Sequence, residues 1–395
     1  MDPLAPCVGG RFRHRDVTSL NMRRIYLDNN ATTFLDPLVR EAIDRIDARC
    51  LANPASQHAD GQAARAVLED SRDAICAALG AGRDDRLVFT SGATESNHLA
   101  LLGMAGSPPA TVLISSVEHP CLQGATSLLR ERGFTVAELP VDRCGRIDPG
   151  EFSRRLTPQV CLVSVIYANH ETGVIQPIEQ LAAICRSNGI PFHTDAAQAV
   201  GKLPIEFAQL GVDAMSIAPH KFHGPVGIGG LLLRKGLPLV PLFRGGFQQA
   251  GLRPGTESVG LAVGFRVALE QAVAVSGKQL RTLSQLRDGF EAGLAGRVPI
   301  VVHGSEALRV PQTSCISFPG ADRQRLFLAL DLAGISCSTG SACASGSSEP
   351  SPILQAMGVA EELIGSALRF SFARTNSLQD VSEAIDRIVA VCWRN

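Results

Sequence analysis

This 395-residue chain has almost no net charge: 37 basic residues stand against 38 acidic ones. No global field therefore draws it to nucleic acid or to a membrane surface. No apolar run approaches the ~20 residues that a membrane helix needs. The eleven cysteines are scattered, odd in number and without a C-x-x-C pair. That pattern argues against a disulfide framework and against a zinc cluster, so no metal site is expected. Most cysteines are expected to be small core residues in a reducing, cytoplasmic setting. No internal repeat is visible. The first two dozen residues carry Arg11, Arg13, Arg15, Arg23 and Arg24 but no apolar stretch of the secretory kind, and residues 1–22 are expected to be a disordered extension.

What is present is alternation. Apolar runs at Leu87–Thr90, Val112–Ser115, Val160–Ala168, Ile190–Asp195, Ala214–Ala218 and Gly227–Leu233 are separated by helical patterns. This predicts an α/β fold with a mainly parallel central sheet and helices on both faces. Beyond Val298 further strands and helices, ending in a helix near Ser377–Cys392, predict a smaller α+β domain. The expected division is 35–275 for a large domain, and 23–34 with 276–395 for a small one.

In sheets of this kind ligands sit outside the carboxyl ends of the strands. Two of those ends carry Asp195 and Lys221. A carboxylate and a lysine at neighbouring strand ends suit pyridoxal 5'-phosphate: the lysine forms a Schiff base and the acid pairs with the pyridinium nitrogen. Ser91-Gly92-Ala93-Thr94 follows a strand and opens a helix, a phosphate seat of small residues and free N–H groups. His119, after another strand, can stack on a pyridine ring and move protons. Asn169, in Asn169-His170-Glu171-Thr172-Gly173, and Gln198 can address a ring oxygen. Cys343 stands in a Gly-, Ser- and Ala-rich segment, Ser338–Ser348, where a free thiol has little packing role. Arg369, on a short strand, has a guanidinium that suits a substrate carboxylate.

These segments, in order from about residue 25 to 390, resemble the cysteine desulfurases of the class V aminotransferase group. The match runs through Tyr26-Leu27-Asp28-Asn29-Asn30-Ala31-Thr32-Thr33, Ser91-Gly92-Ala93-Thr94-Glu95, Glu118-His119, His193 to Gln198, His220-Lys221, Arg253-Pro254-Gly255-Thr256 and Gly340-Ser341-Ala342-Cys343. The resemblance implies the type I fold of pyridoxal-phosphate-dependent transferases. It implies that Lys221 carries the cofactor, Asp195 pairs with its nitrogen, and His119 stacks on the ring. It implies that Ala93, Thr94 and His220 belong to the phosphate side, with Thr256 reaching in from the partner of a homodimer. Arg369 and Asn169 would hold the carboxylate of L-cysteine, and Cys343 would accept its sulfur as a persulfide. A sulfur-acceptor or iron–sulfur scaffold protein would be the partner. One departure stands out: the family pattern has serine where this chain has Ala218. Two other functions fit the same residues: a selenocysteine, cystine or cysteine-sulfinate lyase, and a non-catalytic assembly scaffold.

Overall fold

The computed structural model describes residues 23–49, 52–274, 277–340 and 349–393. Twelve strands occur among them: β1 Ile25–Tyr26, β2 Arg86–Thr90, β3 Thr111–Ser115, β4 Thr135–Leu139, β5 Val160–Ile166, β6 Phe192–Asp195, β7 Ala214–Ile217, β8 Gly229–Leu233, β9 Val301–Val302, β10 Thr313–Ser317, β11 Ile335–Ser336 and β12 Ala367–Ser371. Seven of these form the main sheet, in the order β2-β8-β7-β6-β5-β3-β4. Its pairs are parallel except for the two that β8 makes, with β7 and β2. Strands β6 and β7 are buried along their whole length. Covered on both faces, such strands are near-continuous apolar runs rather than alternating ones.

Helices flank this sheet on the residues that the sequence marks. Ala93–Met104 follows β2, Pro120–Glu131 follows β3, and Ile178–Ser187 follows β5. Proline at the first helical position and the ring nitrogen of His119 as cap explain why the second of these starts where it does. The expected edges are right to within a residue or two. Strand β4 is an addition: its half-exposed sequence, Thr-Val-Ala-Glu-Leu, lacks the apolar signature of its neighbours.

A separate apolar cluster gathers Phe290, Phe318, Phe370, Phe372, Leu330 and Ile388 around β10 and β12, and takes in Ile25 and Leu27 from the start of the described chain. That return is a parallel pairing of β1 with β11 and a bridge from Asp28 to Ser371. It carries the segment Asn29–Ala31 back over the carboxyl ends of β6 and β7. Of the eight described cysteines, Cys185, Cys315 and Cys337 are buried and the other five are half-buried. Four of those five, Cys76, Cys121, Cys161 and Cys392, pack against the apolar clusters, so among the described cysteines only Cys144, in a turn, departs from the expected core role. No described helix is long and apolar enough to cross a membrane.

Candidate active site

Asp195 is the last residue of β6, and its register partner on β7 is Ser216. One short 3-10 turn, Pro219–Lys221, follows β7 and brings Lys221 beside it. The Lys221 amine donates to the carbonyls of Asn30 (2.6 Å) and Ala31 (2.9 Å). Asp195 is buried, yet both carboxylate oxygens are served. Asn97 donates to Oδ2 at 2.8 Å and the Ala197 N–H donates to Oδ1 at 2.9 Å.

These groups share a cavity of about 260 Å³. Ala93, Thr94, His119, Gln198, His220 and Arg369 line it as well. The Ala93–Met104 helix begins there with no side-chain cap on its first N–H groups. Gly229 makes this turn possible: a Cβ at 229 would lie 2.5 Å from the Gly92 carbonyl carbon. Behind the turn, Glu95 accepts from the Ser91 N–H at 2.7 Å and from Arg253 at 2.9 Å. Burial would raise the Glu95 carboxyl, but these bonds outweigh it and hold it below its usual range.

His119 sits at the mouth of the Pro120–Glu131 helix. Burial lowers its proton affinity; Asp195 opposes that, while Lys221 and Arg369 add to it. The imidazole is therefore a neutral group, able to take a proton. Burial likewise pushes His220 down to about 4, helped by Lys221 and Lys202. Arg369, on β12, is 1% exposed. It donates to the His170 carbonyl at 3.0 Å and to Asp28 at 2.8 Å. Gln198 donates to the Asn30 carbonyl at 2.9 Å and accepts from Lys202. Lys202 is buried, and burial followed by the Lys221 and Arg369 charges holds its amine well below the ordinary lysine range.

Two expected site residues stand apart from this wall, and a third is not among the described residues. Asn169 is buried in its own turn: its oxygen accepts from Glu171 N–H and Thr172 N–H, both at 2.9 Å, and its amide donates to the Val117 carbonyl at 3.0 Å. Thr256 is exposed. Cys343 lies outside the described residues.

A conserved-pattern comparison decides the lineage: the aminotransferase class-V pattern matches residues 25–383. The chain belongs to the aminotransferase class-V family. Within it, the chain is 40% identical to a cysteine desulfurase of Cereibacter sphaeroides, covering 92% of this chain and 95% of that one. It is 39% identical to the cysteine desulfurase NifS of Azotobacter vinelandii, covering 93% and 91%. Among solved structures, a NifS-like protein superposes with a TM-score of 0.88 at 32% identity, covering 94% of this chain and all of that one.

Three residues that support the cavity are not marked by the sequence: the Asn97 side chain holds Asp195, the Asn30 carbonyl holds Lys221 and Lys202 holds Gln198, and the first two are ordinary polar residues until their distant partners are placed. Cys121 also lines the cavity, where burial and then Asp195 push its thiol up to about 12.

Proposed function

We infer that this protein is a pyridoxal 5'-phosphate-dependent cysteine desulfurase, converting L-cysteine to L-alanine and passing the sulfur to Cys343 as a persulfide. The observation that carries it is the convergence of Lys221 and Asp195 on one cavity with a buried arginine and a neutral histidine. That donor set fits the cofactor. The uncapped helix start at Gly92–Thr94 offers N–H groups to a phosphate, Asp195 offers a carboxylate to a ring nitrogen, and Lys221 offers an amine. When bound, the cofactor supplies a carbonyl for imine formation and an electron sink for the α-carbon.

The remaining work falls to the chain. Arg369 holds the substrate carboxylate; Asn169, whose oxygen is taken by the Glu171 and Thr172 N–H groups and whose amide donates to the Val117 carbonyl, can add only the second hydrogen of that amide. Lys221 Nζ takes the α-proton and later returns one. His119 exchanges a proton with the substrate thiol or its carbon. The Cys343 thiolate attacks the substrate sulfur and the carbon–sulfur bond breaks. In sum, L-cysteine and the Cys343 thiol become L-alanine and the Cys343 persulfide. Ala93, Thr94 and His220 serve the phosphate side, and Gln198 the ring-oxygen side. The exposure of Thr256 supports a role toward a second copy, so we propose a homodimer in which it acts in trans. A sulfur-acceptor or iron–sulfur scaffold protein is the proposed recipient. Cysteines left free suit a reducing compartment, and we propose the cytoplasm.

The test is alanine and persulfide production from L-cysteine, wild type against Cys343→Ala, with the visible spectrum recorded alongside. Wild type is expected to show a cofactor band and alanine formation. Cys343→Ala is expected to keep the band and lose persulfide. Sustained sulfide release by that variant refutes the acceptor role, and a colourless wild-type protein that binds no added cofactor refutes the proposal as a whole.

A further inference from the structure

Lys202 is 8% exposed. Lysine is rarely buried without a partner, because its amine leaves water at a cost. The chain turns it inward at Gly201, which holds φ 75°; a Cβ there would lie 2.8 Å from that of Phe222, the residue after Lys221. Among the described residues the Lys202 amine has one hydrogen-bond partner, the Gln198 oxygen. The Gln198 amide nitrogen donates to the Asn30 carbonyl at 2.9 Å, the same carbonyl to which Lys221 donates at 2.6 Å. Gln198 lines the cavity that holds Lys221 and Asp195. Lys202 does not; it lines a second cavity, of about 150 Å³.

We propose that Lys202 is a positioning residue of the cofactor site, fixing the Gln198 amide so that its second N–H is offered to the ring oxygen of the cofactor. This rests on the pyridoxal-phosphate reading above, in which Gln198 serves the ring-oxygen side. A glutamine amide has an accepting oxygen at one end and two N–H donors at the other. The Asn30 carbonyl can be met only by the nitrogen end, and an N–H of the Lys202 amine only by the oxygen end. Both contacts demand the same orientation. Asn30 takes one amide hydrogen, and the other has no partner among the described residues. A flipped amide would set oxygen against oxygen at Asn30 and offer the cofactor oxygen an acceptor in place of a donor.

The contact acts as a hydrogen bond rather than as a charge. Burial, followed by the Lys221 and Arg369 charges, holds the Lys202 amine well below the ordinary lysine range, which favours its neutral form. The amine donates in either form. Methionine approaches the length of lysine and has no N–H, so Lys202→Met removes the bond and leaves the Gln198 oxygen buried and unpaired. Lys202→Arg keeps a donor, and the adjoining cavity gives room for the larger head group.

Binding of pyridoxal 5'-phosphate to the apoprotein, read by visible absorbance, tests the assignment in a cycle with Gln198→Met. Lys202→Met is expected to weaken binding by about threefold to tenfold, as for loss of one directed hydrogen bond. It should also shift the visible band, since hydrogen bonds to the cofactor tune its electronics. Lys202→Arg should recover most of both effects. In the Gln198→Met background, Lys202→Met should change the affinity by less than about twofold. An equal loss in both backgrounds would mean that Lys202 acts through its charge or through the fold, and would overturn the assignment. If Lys202→Met does not fold, the double variant, which leaves no amide oxygen unpaired, still decides: binding about tenfold weaker than Gln198→Met alone overturns the assignment, and equal binding supports it. Normal binding with an unshifted band in Lys202→Met, where Gln198→Met weakens binding, removes the Lys202 role alone. Gln198→Met without effect removes the ring-oxygen role and this one with it. A wild type that binds no cofactor removes the whole reading.

Discussion

Asn97 donates to Asp195 across 98 residues of sequence, at 2.8 Å, from the first turns of the helix whose start forms one wall of the cavity. One helix thus opens on the cavity at its N-terminus and sends a side chain to the Asp195 carboxylate. Asn97→Ala should cost about 1.5 kcal/mol, the lower end for a hydrogen bond to a charged group. It falls at the lower end because Asn97 Oδ1 is itself buried and unpaired, and the substitution removes that orphan too. Urea unfolding of the two proteins measures it. Cofactor retention should fall in parallel, since Asp195 keeps only the Ala197 N–H; an Asn97→Ala protein as stable and as retentive as wild type would contradict this role.

Much of this arrangement is legible in sequence. Apolar runs that end in Asp195 and near Lys221 identify neighbouring strand ends, because strands buried on both faces carry little else. Small residues at Ser91-Gly92-Ala93 identify the helix start for the same local reason. Their partners are another matter. Asn30 meets Lys221 only because β1 pairs with β11, more than 300 residues away in the chain. Lys202 is four residues beyond Gln198 in a run of turns, and nothing in its sequence neighbourhood distinguishes it from a solvated lysine. Among the described residues the His170 ring makes no hydrogen bond, and an absent bond shows only once the packing is known.

Glu118 supplies a pH signature. The carboxyl is fully buried, with Oε1 accepting from Ser115 Oγ and from the Ile166 N–H, both at 2.6 Å. Burial, with Asp195 adding to it, raises its pKa from 4.5 to about 8 despite those bonds. Between these two values the folded protein holds a proton that the unfolded chain has lost. Stability from this group is therefore fully present below about pH 4.5 and is lost as pH rises toward 8. The slope is at most about 1.4 kcal/mol per pH unit. Glu118→Gln keeps an acceptor for both donors and cannot ionise. Wild type should lose stability relative to Glu118→Gln across pH 5–8, as read by urea unfolding at several pH values; parallel curves would mean that Glu118 is ionised in the native protein.

Ala218 is where the chain departs from the desulfurase pattern, which places a serine hydroxyl on the phosphate. Ser216, two residues earlier, is no substitute. It is fully buried, and its hydroxyl is engaged with His193 Nε2 at 2.9 Å, inside the sheet. On the proposed function, the phosphate side would rest on the helix start at Gly92–Thr94, on His220 and on Thr256 of a second copy, short of one charge-assisted hydrogen bond, about 1.5–3 kcal/mol. Ala218→Ser should slow loss of the cofactor on dialysis and tighten its binding to the apoprotein by about tenfold to a hundredfold. The backbone at 218 is extended, with φ −131° and ψ 103°, a conformation that serine adopts without strain. A variant that binds the cofactor no more tightly than wild type would mean that the helix N–H groups already satisfy the oxygen that the serine would reach.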